Sequence, residues 1–128
     1  MAKYASPEFL DGGFTAFKAN VNQMVLLKAY AAGDNYATVN GNAIASVSVA
    51  TGDFALSGAD AAPRVMTTTA KSTTASANSG ASPDLHIAFR DTVNSKVYMV
   101  TDETSNQVVT SGNTVNFPSL TYTSGLPT

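Results

Sequence analysis

The sequence predicts a mainly β protein, an antiparallel β-sandwich or small barrel, with a short helical N-terminal segment. Two observations carry the β expectation. Apolar or alternating runs of strand length recur along the chain, and clusters of Gly, Asn, Asp and Ser separate them at regular intervals. A third sets the N-terminus apart, where Phe9, Phe14 and Phe17 crowd a stretch with helical spacing.

Residues 1–22 form an N-terminal helical arm or packing segment. Ser6 is a good N-cap, Pro7 suits the first helical position, and Glu8 follows. Asp11, Gly12 and Gly13 interrupt, and then Phe14, Phe17 and Val21 fall on one face of a second short helix. Three phenylalanines in so short a stretch need cover. Either the helix packs on its own sheet or it docks on another subunit, and the pattern alone allows both.

Residues 23–122 form the β body. Gln23 to Tyr30, with Met24, Val25, Leu26 and Leu27, is a continuous apolar run ended by Ala31 to Asn35, which suits a central strand buried on both faces. Tyr36 to Asn42 suits a helical turn, Ala43 to Ala50 a strand of weaker alternation and Thr51 to Asp53 a turn, and Phe54 to Leu56 is a short apolar triplet. Residues 57–63 read as a loop. Arg64 to Asn78 is rich in β-branched Thr and suits an edge strand or two, with a disordered or ligand-ordered loop as the alternative. Leu85 to Asp91 and Lys96 to Thr101 form the clearest hairpin, with Arg90 expected opposite Lys96. A second hairpin is expected between Gln107–Thr110 and Thr114–Phe117 around Gly112, followed by a strand over Leu120–Tyr122. Residues 123–128 are a tail.

Composition narrows the chemistry. The chain of 128 residues has the size of one domain, and its lack of cysteine excludes disulfides and thiolate metal sites. Net charge is −2, and Lys3, Lys18, Lys28, Arg64, Lys71, Arg90 and Lys96 are scattered, so no nucleic-acid partner is expected. No apolar run approaches a membrane span and no signal peptide is legible, so no membrane partner is expected either.

No residue set marks an active site, and the expectation is a protein that is not an enzyme. His86 has Asp84 two residues earlier on the same strand face, but no Gly-x-Ser-x-Gly elbow marks a nucleophile, and His86 reads as a strand histidine. Asp102 and Glu103 are the one adjacent acidic pair, which suits a solvated turn better than a calcium loop. No phosphate-binding glycine loop occurs. No catalytic residue, cofactor or metal is expected. Tyr4, Tyr30, Tyr36, Tyr98 and Tyr122 suit packing or subunit contact better than stacking on sugars.

Met24 to Tyr30, Leu85 to Phe89, Val97 to Thr104 and Ser111 to Ser119, together with Ala19 and Asn20, resemble in order and spacing segments of a family of small virion structural proteins of tailed bacteriophages. The resemblance runs along most of the chain. It implies a capsid decoration, or cement, protein that binds the major capsid protein on the outer surface of the head. It further implies a homo-oligomer, trimer or dimer, and a location in the virion assembled in the host cytoplasm. On that reading Phe9, Phe14 and Phe17 are the candidate capsid or subunit contacts. A tail, collar or fibre component is the rival within the virion, and a carbohydrate-binding β-sandwich module the rival outside it.

Overall fold

A computed structural model describes residues 11–58, 63–103 and 106–124. The expected helix start at Ser6–Glu8 and most of the tail fall outside them. The protein is mainly β, with several antiparallel sheets and an N-terminal helix. Its chain clusters into two compact units, one of residues 1–20, 50–70 and 118–128, the other of 21–49 and 71–117. In this clustering the N-terminal helix groups with two later segments of the chain.

In the first unit, α1 (Gly12–Asn20) accompanies a three-stranded antiparallel sheet, β3 (Phe54–Ser57), β4 (Arg64–Thr68) and β9 (Thr121–Ser124), in the order β3-β4-β9. The sequence suggests an edge strand over 64–68, yet β4 is the central one. Thr68 explains why. Its backbone N–H donates to the Leu120 carbonyl, and its hydroxyl accepts from the Leu120 N–H. The Ser119 hydroxyl donates to the Thr68 carbonyl at 2.6 Å. This buried threonine thus draws the last strand alongside β4 with its own polar groups satisfied. Gly58 follows β3 with φ of 125°, and a Cβ there would sit 2.5 Å from the Pro63 carbonyl oxygen, so only glycine fits.

The second unit is built on a four-stranded antiparallel sheet in the order β2-β1-β6-β7: β1 (Gln23–Leu27), β2 (Ala43–Ser48), β6 (His86–Asp91) and β7 (Lys96–Asp102). As expected, β1 is internal, and Met24, Val25, Leu26 and Leu27 are buried on both faces. Each such side chain contributes roughly 1.5–3 kcal/mol relative to its exposed state. Helix α2 (Tyr36–Asn42) is short and contains Gly41, so packing rather than propensity holds it. Asn35 caps it by accepting from the Thr38 N–H, and Val39 joins Val25, Leu27 and Ala88 in a fully buried cluster. Arg90 lies beside α2 in the same unit. Its guanidinium donates to Gln23 Oε1 and Asn40 Oδ1 and lies 5.4 Å from the Tyr36 ring centre.

Two expectations about pairing change here. The second hairpin does not form: β8 (Thr114–Phe117) pairs with β5 (Lys71–Thr74), and residues 107–110 are not a strand. Residues 109–112 instead exchange hydrogen bonds with 75–79, through Ser79 N to Val109 O, Val109 N to Ser79 Oγ, and Gly112 N to Ala75 O. In the first hairpin Arg90 pairs with Val97 and Asp91 with Lys96, and a bulge at Tyr98 makes Phe89 pair with Met99. The expected register, with Arg90 opposite Lys96, is therefore shifted by two residues along most of β6. The bulge also turns Val97 onto the Val25–Ala88 side, away from Ile87 and Phe89.

Candidate functional site

Phe14 and Phe17, expected at a capsid or subunit contact, are 7% and 5% exposed. Phe14 meets the Tyr122 ring edge-on at 5.9 Å between centres, and Phe17 meets Phe54 edge-on at 4.9 Å. Both geometries are favourable for aromatic pairs. Arg64 binds Asp11 through two parallel hydrogen bonds of 2.9 and 3.0 Å, tying the start of α1 to β4. Of the two readings the sequence allows for this segment, the structure has the helix packed within its own unit. Phe9 lies outside the described residues.

Polar chemistry concentrates at the two ends of the β6–β7 hairpin. At the turn, Asp91 is buried and its carboxylate accepts from the Asn94 side-chain amide at 2.7 Å and from the backbone N–H groups of Val93 and Asn94. The Asn94 amide foremost, with those N–H groups and the charge of Lys96, holds its pKa below the ordinary carboxylate range against the opposing effect of burial. Ser95, with φ of 54°, closes the loop in the left-handed region.

At the open end the shifted register sets His86 directly across from Asp102. The imidazole Nδ1 lies 3.0 Å from the Asp84 carbonyl oxygen, and Nε2 lies 3.7 Å from Asp102 Oδ1. One ligand-capable atom from each of Asp84, His86 and Asp102 lies within 4.8 Å of the other two. The Tyr30 ring, 5.6 Å from the imidazole centre, packs beside it, so the His86 side chain is 13% exposed while that of Asp102 is 69% exposed.

Sequence reasoning weighs Asp84 with His86, and Asp102 with Glu103, as separate pairs. Only the register, displaced by the bulge, joins them. Among the described residues, the large apolar side chains left most exposed are Val93 at the hairpin tip, Val108 and Tyr122. Tyr30, Tyr36 and Tyr98 are half-buried. No helix among the described residues is long and apolar enough to cross a membrane.

No protein-family model, curated protein or solved structure matches this chain.

Proposed function

We propose that this chain is a non-enzymatic structural protein of a bacteriophage virion, a decoration protein that binds the major capsid protein on the outer surface of the head. The observation that supports the reading is where the family-like segments fall. Met24–Tyr30, Leu85–Phe89 and Val97–Thr104 supply β1, β6 and β7, which are neighbours in one sheet, and Ser111–Ser119 supplies β8 of the same unit. Segments far apart in sequence thus share one folded body, as an inherited module would. The scattered charges and abundant hydroxyls suit a surface that meets a protein lattice rather than a polyanion. Many symmetric copies on one shell raise the effective concentration of each contact, so each can be modest.

On this reading the protein works as an oligomer, dimer or trimer, and clamps neighbouring capsomers against the pressure of packaged DNA. Phe14 and Phe17 already sit inside their own unit, so the proposed contact from the N-terminal segment runs through Phe9. Cryo-electron microscopy of the particles, with copy number per virion, tests the reading. Symmetric density on the outer shell at hundreds of copies is the expected result. A few copies at the tail or collar would replace decoration by the rival virion role, and absence from particles would remove both.

A further inference from the structure

We propose that Asp84, His86 and Asp102 bind a divalent first-row transition ion, with zinc as the reference case, at the open end of the β6–β7 hairpin. The inference stands apart from the virion reading, since it rests on local geometry alone.

The tautomer carries the argument. A backbone carbonyl can only accept, so the 3.0 Å contact to the Asp84 carbonyl puts the ring proton on Nδ1. Nε2 is the nitrogen that faces Asp102 Oδ1, and in this tautomer it is the one that offers a lone pair to a metal. Their 3.7 Å separation is too long for a hydrogen bond. It is, however, close to the span of two ligands on one ion, since ligands about 2.1 Å from a shared tetrahedral zinc lie about 3.4 Å apart. The Asp84 carboxylate, exposed and two residues upstream, lies in the same cluster, whose ligand atoms are all within 4.8 Å of one another, and it completes the set.

The surroundings favour a cation. No lysine or arginine among the described residues pairs with either the Asp84 or the Asp102 carboxylate. An Nδ1–H held by a carbonyl is also the outer contact that orients metal-ligating imidazoles, and the Tyr30 ring restrains the side chain further. One nitrogen and two carboxylate ligands select borderline ions such as zinc over calcium or magnesium, which prefer all-oxygen shells. Three protein ligands leave a fourth position for water or for a donor from a partner.

His86 is the chain's one histidine, so its ring resonances are unambiguous. The full chain, stripped of metal, is titrated with zinc chloride and followed by calorimetry and by long-range proton–nitrogen correlation of the imidazole. The expected result is one ion per chain, Nδ1 protonated throughout, and an Nε2 resonance that moves to the ligated position at one equivalent. His86→Gln should abolish the stoichiometric binding, and Asp102→Asn should weaken it by at least about tenfold, the scale on which even outer partners of metal ligands act. Circular dichroism confirms that both variants fold, and a variant that unfolds is replaced by Asp84→Asn, expected to weaken binding likewise. An imidazole unmoved by zinc would overturn the site, as would a folded His86→Gln chain that binds like the parent. Calcium chloride shifting the ring as strongly as zinc would overturn the assigned class of ion.

Discussion

The β6–β7 hairpin carries an aspartate at each end, and the two are held in opposite ways. At the turn, Asp91 is buried and receives three hydrogen bonds from Val93 and Asn94, so its charge is matched within its own loop. At the open end, Asp102 is mostly exposed and faces an imidazole nitrogen at 3.7 Å, too long for a hydrogen bond. One carboxylate is consumed by the architecture and the other retains its binding capacity. The contrast teaches that a carboxylate beside other polar groups becomes a candidate site only when its partners leave it incomplete.

Substitutions along this hairpin test the contrast. The largest effect is expected in the middle, where Phe89 is fully buried: Phe89→Ala should cost about 3–5 kcal/mol, read from the denaturant midpoint. Asp91→Asn should produce a smaller but clear loss of thermal stability at neutral pH, because the loop then lacks its charged acceptor. The pH dependence has a definite sign. Asp91 has its folded pKa lowered, so its contribution is present above the ordinary carboxylate range and is lost as pH falls through the lowered folded value. The gap between parent and Asp91→Asn should therefore close in acid, which melting curves across pH would show.

Asp102→Asn, measured without added metal, should change stability by no more than about 0.5 kcal/mol, since its side chain is 69% exposed. A loss there as large as that of Asp91→Asn would erase the distinction between the two ends. Smallest of all is Val93→Ser at the tip, where the side chain is 81% exposed and a change near zero is expected. A sizeable drop in its melting temperature would reveal cover that the isolated chain lacks, such as a second copy.

Much of the fold was legible where local signals suffice. The apolar run of β1, the helical turn over Tyr36–Asn42 and the strand from Ala43 follow from local pattern, although Asn35 reads only as part of the turn after β1 and not as the helix's cap. Pairing between distant segments was not legible. The turn at Gly112 reads as a hairpin because Gly and Asn flank it, yet Thr114–Phe117 pairs with Lys71–Thr74, far earlier in the chain. Local turn chemistry does not encode that choice. The candidate site was half legible for the same reason. Asp84 and His86 are neighbours in sequence, whereas Asp102 reaches them through a register that depends on which residue closes the turn and on one extra residue at Tyr98. The enclosure of Phe14 and Phe17 was visible as a need for cover, but Phe54 and Tyr122 as the covering rings were not.

The bulge at Tyr98 has a consequence for solubility. Residues 73–76 bond to the outer side of β2 through Ser76 N to Ile44 O and Thr73 Oγ1 to Ser46 O, whereas no strand among the described residues pairs with the outer side of β7. A seven-residue edge carrying Val97, Met99 and Val100 would, if flat, invite strands of other chains to add and propagate. The bulge breaks its regular spacing and twists it, while Lys96 and Asp102 place a charge at either end. Removing Tyr98 would leave the pairing of β6 with β7 in phase but straighten that edge, and ordered aggregation at high protein concentration is the failure to expect.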